Sequence, residues 1–482
     1  MINYFKMNRG WIQGALKNTD RLSIVISLLL FSLIFSYQPL IGFGTVSGIN
    51  AKLSIAIIAV VIFICLNIPR IIRSRHTLIQ SMGVKVLLLF CSLNTISVLW
   101  SNNTPRATLE AGFLWLIFLL FIAIIVRYAE LYKARRLFIN TIWLTTVMLC
   151  LFAWWQIFGE AYGAPPEVTL LPNAYQSDVF GFARPTGFAI EPQFFGNLLL
   201  APLMLATHTL LKNSKNLRVT ILLFIAAATL VATISRGAFI AAVVGLLVIF
   251  ALTKTTAPRR LKAAGTLVIG ATISLCLIGF AAHANPTDQI SGPSAIAGAV
   301  NQTSLGAIDL KPLMTAQNQS KEPVATEQRA PSPPSSPKET ATPTYVVEST
   351  TSRLLMSQEA LKLMNRDTFT FMFGVGVGGF GAAIHQKNTT YALGSVVNNE
   401  YLQVASELGL IGLVLFGTLL LLPVYGLLKL KQWPLLSLLL AFYTQWFFFS
   451  GHINTLHIWL TLAIAYSILL QSKHYSNADQ SA

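Results

Sequence analysis

Acidic side chains are scarce in this chain: 18 of 482 residues are Asp or Glu, against 34 Lys or Arg, and charged residues of both signs reach only 11%. Soluble domains carry about 25% charge. The deficit, with 54% hydrophobic residues and a mean hydropathy of +0.62, excludes a water-soluble enzyme and leaves a polytopic membrane protein. Cysteine is equally sparse. Cys65, Cys91, Cys150 and Cys276 all lie inside apolar runs, which argues for small hydrophobes and against a disulfide framework or metal site. Strict polar/apolar alternation is lacking, which disfavours a membrane barrel. No period of 20–50 residues is visible, so the chain is not read as a repeat protein. No histidine–carboxylate spacing suits a metal, and no cofactor is expected.

What is present are apolar runs near 22–43, 52–68, 84–101, 110–127, 136–157, 193–211, 218–235, 237–253, 262–282, 408–428, 434–450 and 455–471. Each approaches the roughly 17–25 residues of a bilayer-spanning helix, so the fold class is all-α with about twelve transmembrane helices. The first run continues for about twenty residues without a small-residue cleavage site and reads as an uncleaved helix. Although the net charge is +16, the basic residues are spread over short loops, so nucleic acid is not an expected partner. They alternate instead. Lys6/Arg9/Lys17/Arg21, Arg70/Arg73/Arg75, Arg127/Lys133/Arg135/Arg136, Lys212/Lys215/Arg218, Arg259/Arg260/Lys262 and Lys429/Lys431 fall on one side. The positive-inside rule makes that side cytoplasmic and puts both termini there.

One connection breaks the pattern of short loops. The domains expected are helices 1–9 over residues 1–282, a disordered Pro/Ser/Thr-rich extracytoplasmic segment over 283–347, an extracytoplasmic catalytic-loop region over 348–407, and helices 10–12 with a tail over 408–482. A second outer connection, 158–192, is rich in Pro, Gly and aromatics and is a candidate substrate wall. Basic residues are scarce on the outer side, where the short loops retain only Lys52, Arg106, Arg184 and Arg236, and three outer arginines sit beside short polar or glycine-bearing motifs. They are Arg184 in ARPTGFAIEPQFF, Arg236 in TISRGAF and Arg353 in STTSRLLMSQEAL. Guanidinium suits bidentate grip of a phosphate or diphosphate. The plain alternative for each is a surface or snorkelling side chain.

Glu191, near a helix start, is a candidate base, and its plain alternative is a pair with Arg184. Asn398, Asn399 and Glu400 form a polar cluster in VVNNEYLQVASELGLIGL, where a helix cap is the simpler reading of Asn398. His385 and His452 are outer-facing candidates for acid or base work, although a lone loop histidine is more often incidental. GVGVGGFG contains a GxGxxG spacing, but without a preceding strand in a βαβ unit it does not indicate a dinucleotide site.

Taken in order, RPTGFAIEPQFF, SRGAF, SRLLMSQEAL, GVGVGGF and NNEYLQVASELGLIGL resemble the O-antigen ligase and O-antigen polymerase superfamily over residues 180–430. That resemblance implies a multi-pass enzyme of the bacterial inner membrane. It transfers undecaprenyl-diphosphate-linked glycans to a glycan or other acceptor on the extracytoplasmic face. Partners implied are the lipid-linked donor, the acceptor, the bilayer and, for a polymerase, a chain-length regulator. It also implies that Arg184, Arg236 and Arg353, with Asn398 and Asn399, bind the diphosphate. Family ligases usually carry a histidine where this chain has Asn398; either Glu191, Glu400 or His385 then does the acid–base work, or the enzyme relies on positioning and leaving-group stabilisation. That departure, and the Glu191–Pro192 pair, favour a polymerase over a ligase. A transporter or flippase is the rival from another class, but carriers place polar sites at mid-membrane between repeated halves.

Overall fold

The computed structural model describes residues 28–29, 32, 40–46, 49–133, 135–172, 175, 181–285, 291–303 and 341–480. One antiparallel hairpin, β1 (Leu40–Val46) with β2 (Ile49–Ser54), precedes a series of helices. The principal ones are α1 (Ile55–Arg73), α2 (Met82–Ser97), α3 (Thr104–Lys133), α4 (Arg135–Ala161), α5 (Pro192–Lys212), α6 (Leu217–Ala232), α7 (Arg236–Leu252), α8 (Ala257–Ala284) and α9 (Gly292–Thr303). They continue with α10 (Ala341–Met364), α11 (Thr368–Phe373), α12 (Phe380–Lys387), α13 (Glu400–Lys429), α14 (Trp433–Gln445) and α15 (Leu456–Gln480). Every apolar run read from residue 52 onward coincides with one of these helices. The first run, 22–43, lies mostly outside the described residues, and its last residues, from Leu40, belong to β1.

Among the described residues seven helical segments, those of α1, α2, α3, α4, α5, α8 and α13, are long and apolar enough to cross a bilayer. α6, α7 and the first part of α15 are shorter apolar helices. Leu66, Leu89, Leu151, Leu247 and Val268 point outward from these helices, as side chains facing lipid do. The helices begin where small polar residues take up otherwise orphaned amides. Ser54 accepts from Ile57 N at 3.3 Å, Asn216 from Val219 N at 3.3 Å, and Ser235 from Ala238 N at 3.4 Å.

Close packing of α5, α7 and α14 is made possible by missing side chains. A Cβ on Gly196 would stand 2.6 Å from Ala238 Cβ, and one on Gly245 would stand 2.8 Å from Met204 Cε. Likewise, a Cβ on Gly237 would lie 2.6 Å from Phe448 Cβ, just beyond α14. The amino ends of α5 and α7 are thereby brought together at one end of the bundle.

The segment expected to be disordered, 283–347, is helical in part. α9 packs Ala295 and Ala299 against Ile278, Ala281 and Ala282 of α8, while residues 304–340 lie outside the described residues. The glycine run between α11 and α12 is a structural strap. Val375 N donates to Ser406 O at 3.0 Å and Gly376 N to Glu407 O at 2.9 Å, alongside a break in α13 at Gly409. Gly374 (φ +72°) and Gly409 (φ +66°) occupy the left-handed region, and a Cβ on either would overlap the other segment's backbone, at Glu407 or Met372. Ser97 and Ser101 of the α2–α3 corner complete the strap: Val377 N donates to Ser97 Oγ at 3.1 Å and Ser101 Oγ donates to Val377 O at 2.9 Å.

Gly374→Ala should therefore destabilise the protein by about 1–3 kcal/mol or more. Gly417→Ala, in an open stretch of the same α13, should be neutral or slightly stabilising. Thermal melts of the detergent-solubilised variants would check this, and equal midpoints for the two would contradict the strap's role.

Candidate active site

Arg184, Arg236 and Arg353 line a single cleft, together with Glu191, Gln193, Tyr175, Ile234, Ser235 and Gln302. Four remote stretches of sequence meet there. The 158–192 connection and the start of α5 supply Tyr175, Arg184, Glu191 and Gln193; the α6–α7 corner supplies Ile234, Ser235 and Arg236; α9 supplies Gln302; and α10 supplies Arg353.

The α6–α7 corner is tight enough to require unusual backbone geometry. Ile234, a β-branched residue, sits in the left-handed region at φ +47°. Such strain persists where the surroundings over-determine it. Here the corner's carbonyls face Arg184, whose Nε and Nη2 donate to Thr233 O at 3.4 Å and whose Nη2 also reaches Ile234 O at 3.5 Å. The Arg184 guanidinium lies 5.8 Å from the Tyr175 ring centroid, and Arg184 N donates to Tyr175 O at 2.9 Å. Arg236 is the first residue of α7, capped by Ser235.

Gln193, in the first turn of α5, links the opposite charges. Its Oε1 accepts from Arg353 Nη2 at 3.5 Å and its Nε2 donates to Glu191 Oε2 at 2.9 Å. Arg353 Nη1 also donates to Phe448 O at 3.1 Å. Behind Gln193 runs a buried polar line: Gln445 Nε2 donates to Gln193 O at 2.7 Å, Asn197 Nδ2 donates to Gln445 Oε1 at 2.7 Å, and His457 Nε2 donates to Asn197 Oδ1. The amino ends of α5 and α7 both border the cleft, adding the partial positive charge of two helix starts to three guanidinium groups. The cleft gathers cationic donors suited to an anion, with one carboxylate at its wall.

The remaining sequence candidates lie elsewhere. Asn399 caps α13, accepting from Leu402 N at 3.2 Å. Asn398, just before it, has φ +59° and lines a second groove with Thr351, Ser352 and Tyr391. His385 Nδ1 donates to Tyr391 O at 2.5 Å from the last turn of α12. Glu400 is fully buried beneath the α14–α15 connection: Oε2 accepts from Gly451 N at 2.5 Å and His452 N at 2.8 Å, and Oε1 from His452 Nδ1 at 2.6 Å. Of the catalytic candidates, Glu191 alone shares the cleft with the arginines. Gln193 was not singled out, although it lies two residues beyond Glu191 within the same motif. Among the described residues no cluster of three or more His, Cys, Asp or Glu is placed to hold a metal ion.

Burial alone would pull the His452 imidazole down, but the Glu400 carboxylate beside it, with Glu110 and Glu407, holds it above its ordinary value of 6.5. A raised folded value stabilises the fold below the unfolded pKa of about 6.5, and that contribution is lost as pH rises through the folded value. The wild-type melting midpoint should thus fall across this range, and Glu400→Gln should flatten the fall while lowering the midpoint at acid pH. Melts at a series of pH values read both effects; identical profiles would show that the pair contributes nothing.

A family model described as O-antigen ligase matches residues 221–417, a stretch running from α6 into α13 and containing Arg236 and Arg353. No curated protein matches the chain. Over residues 221–417 the chain carries an O-antigen ligase domain, a match that, with its apolar helices, supports a multi-pass membrane protein of the O-antigen ligase and polymerase family.

Proposed function

We propose that the protein is a glycan polymerase that lengthens a surface polysaccharide from repeat units carried on undecaprenyl diphosphate. The observation that carries this reading is the convergence of Arg184, Arg236 and Arg353 with Glu191 in one cleft. The cleft faces the extracytoplasmic side of the bacterial inner membrane, in keeping with the sign of the loop charges. A hydroxyl oxygen of the acceptor glycan attacks the anomeric carbon of the donor. The bond from that carbon to the phosphate oxygen breaks, and the lipid diphosphate leaves with the electron pair. The arginines and two helix starts stabilise the charge that grows on the leaving group. Glu191 takes the acceptor's proton. One of its oxygens is held by Gln193, which orients the other towards the cleft.

No nucleotide-sugar site is needed, because the lipid diphosphate is itself a good leaving group. Asn398 in place of the family's usual histidine favours extension of a glycan over ligation to a different acceptor. The match to an O-antigen ligase family model over residues 221–417 favours the second reading, transfer of the finished glycan onto a lipid or protein acceptor.

Arg236→Ala and Arg353→Ala should each lower polymer formation by about 10²–10³-fold. Replacement by Lys should rescue only partly, because one ammonium cannot grip two oxygens. Immunoblots must show normal protein levels, and unchanged polymer under those conditions would refute the transferase reading. Glu191→Gln should abolish transfer while leaving the lipid-linked donor bound. Deleting the gene separates the two readings. Single repeat units on the normal acceptor identify a lost polymerase, whereas full-length polymer stranded on the lipid carrier identifies a lost ligase.

A further inference from the structure

α10 separates two concave sites. Arg353 projects into the arginine cleft, while Ser352, one residue earlier and about 100° around the helix, lines a second groove with Thr351 and Met356. The other wall comes from the α12–α13 connection, through Tyr391, Ser395 and Asn398. The groove is open to solvent and has a volume of about 630 Å³. That lies within the roughly 300–1,000 Å³ of sites for small ligands and leaves room for a short oligosaccharide.

Its chemistry differs from that of the cleft. No charged side chain lines it; hydroxyls, an amide, an aromatic ring and the apolar side chains of Leu355, Met356, Ala392 and Val396 do. The side chains of Thr351, Ser352, Ser395 and Asn398 make no hydrogen bond with another described residue, so their donors and acceptors are available. Asn398 is held at φ +59°, a conformation that Asn tolerates better than most residues. Its neighbour Val397 is fixed from behind, where Val397 N donates to Gln403 Oε1 at 2.8 Å. A row of unpaired hydroxyl and amide groups beside a tyrosine suits a neutral saccharide, whose hydroxyls need partners and whose ring faces pack on aromatics. A prenyl chain would leave those polar groups unpaired, at a cost of about 1–3 kcal/mol each.

We propose that this groove seats the acceptor glycan, presenting its terminal hydroxyl round α10 to the arginine cleft. The assignment rests on the transferase reading above and gives Asn398 a role in holding sugar instead of diphosphate. Binding of glycan without transfer tests it separately from that reading. The probe is a fluorescein-labelled neutral repeat-unit oligosaccharide, freed of its lipid, titrated into the full-length protein in detergent and followed by anisotropy.

Asn398→Gly, which keeps the backbone geometry and removes the amide, and Ser395→Trp, which fills the groove, should each weaken binding by about tenfold. Arg353→Ala should bind the probe within about twofold of wild type. Equal affinity in the wild type and both groove variants, with unchanged melting midpoints, would overturn the assignment, as would failure of the wild type to bind. Displacement of the probe by undecaprenol, with prenol binding lost in Ser395→Trp, would make the groove a lipid seat and also overturn it. If the probe behaves as expected but Arg236→Ala still makes polymer, the transferase reading fails and the sugar groove stands.

Discussion

Three guanidinium groups in one cleft repel one another, and in a site bordered by apolar helices that repulsion is screened far less than in water. The surrounding structure is arranged to hold them there. Main-chain carbonyls of Thr233, Ile234 and Phe448 accept from Arg184 and Arg353, and Gln193 stands as a neutral amide between Arg353 and Glu191. Carbonyl dipoles lower the cost of gathering the cations without cancelling their charge. A carboxylate gripped directly by an arginine would be spent as an ion pair; here the Gln193 amide stands between Arg353 and Glu191.

That arrangement depends on helix packing some distance away. α5 and α7 converge because Gly196, Gly237 and Gly245 let neighbouring helices approach within side-chain contact. The polar line from His457 through Asn197 and Gln445 then anchors the Gln193 carbonyl from below. Buried amides of this kind specify one geometry, because any other leaves donors unsatisfied. On the other side of α10, the glycine strap fixes α11 and α12 to the break in α13 and so sets the wall of the second groove.

Much of the fold was legible because the membrane imposes a simple rule. Backbone groups in lipid must pair within their own helix, so an apolar run near twenty residues long declares its structure locally. The runs from residue 52 onward became helices for that reason. The arginine cleft was legible in outline, since charge in an apolar chain is costly and its rare occurrences stand out. Other parts were hidden. α9 was masked by an Ala/Gly/Ser composition that reads as unstructured, and its helix depends on small residues packing on α8. The glycine run offered several readings, and only its pairing with Ser406 and Glu407 assigned one.

The sequence by itself determined that the apolar runs from residue 52 onward are largely helical and that Arg184, Arg236 and Arg353 are exceptional, because hydropathy and charge act through short-range solvation. Only the tertiary structure decided how the polar candidates divide. Glu191 joined the arginines, Glu400 was buried against His452, and Asn398 turned to a different groove. Glu191 and Arg353 are 162 positions apart in the chain and Glu400 and His452 are 52 apart. No local pattern encodes such separations; the close approach of glycine-bearing helices does.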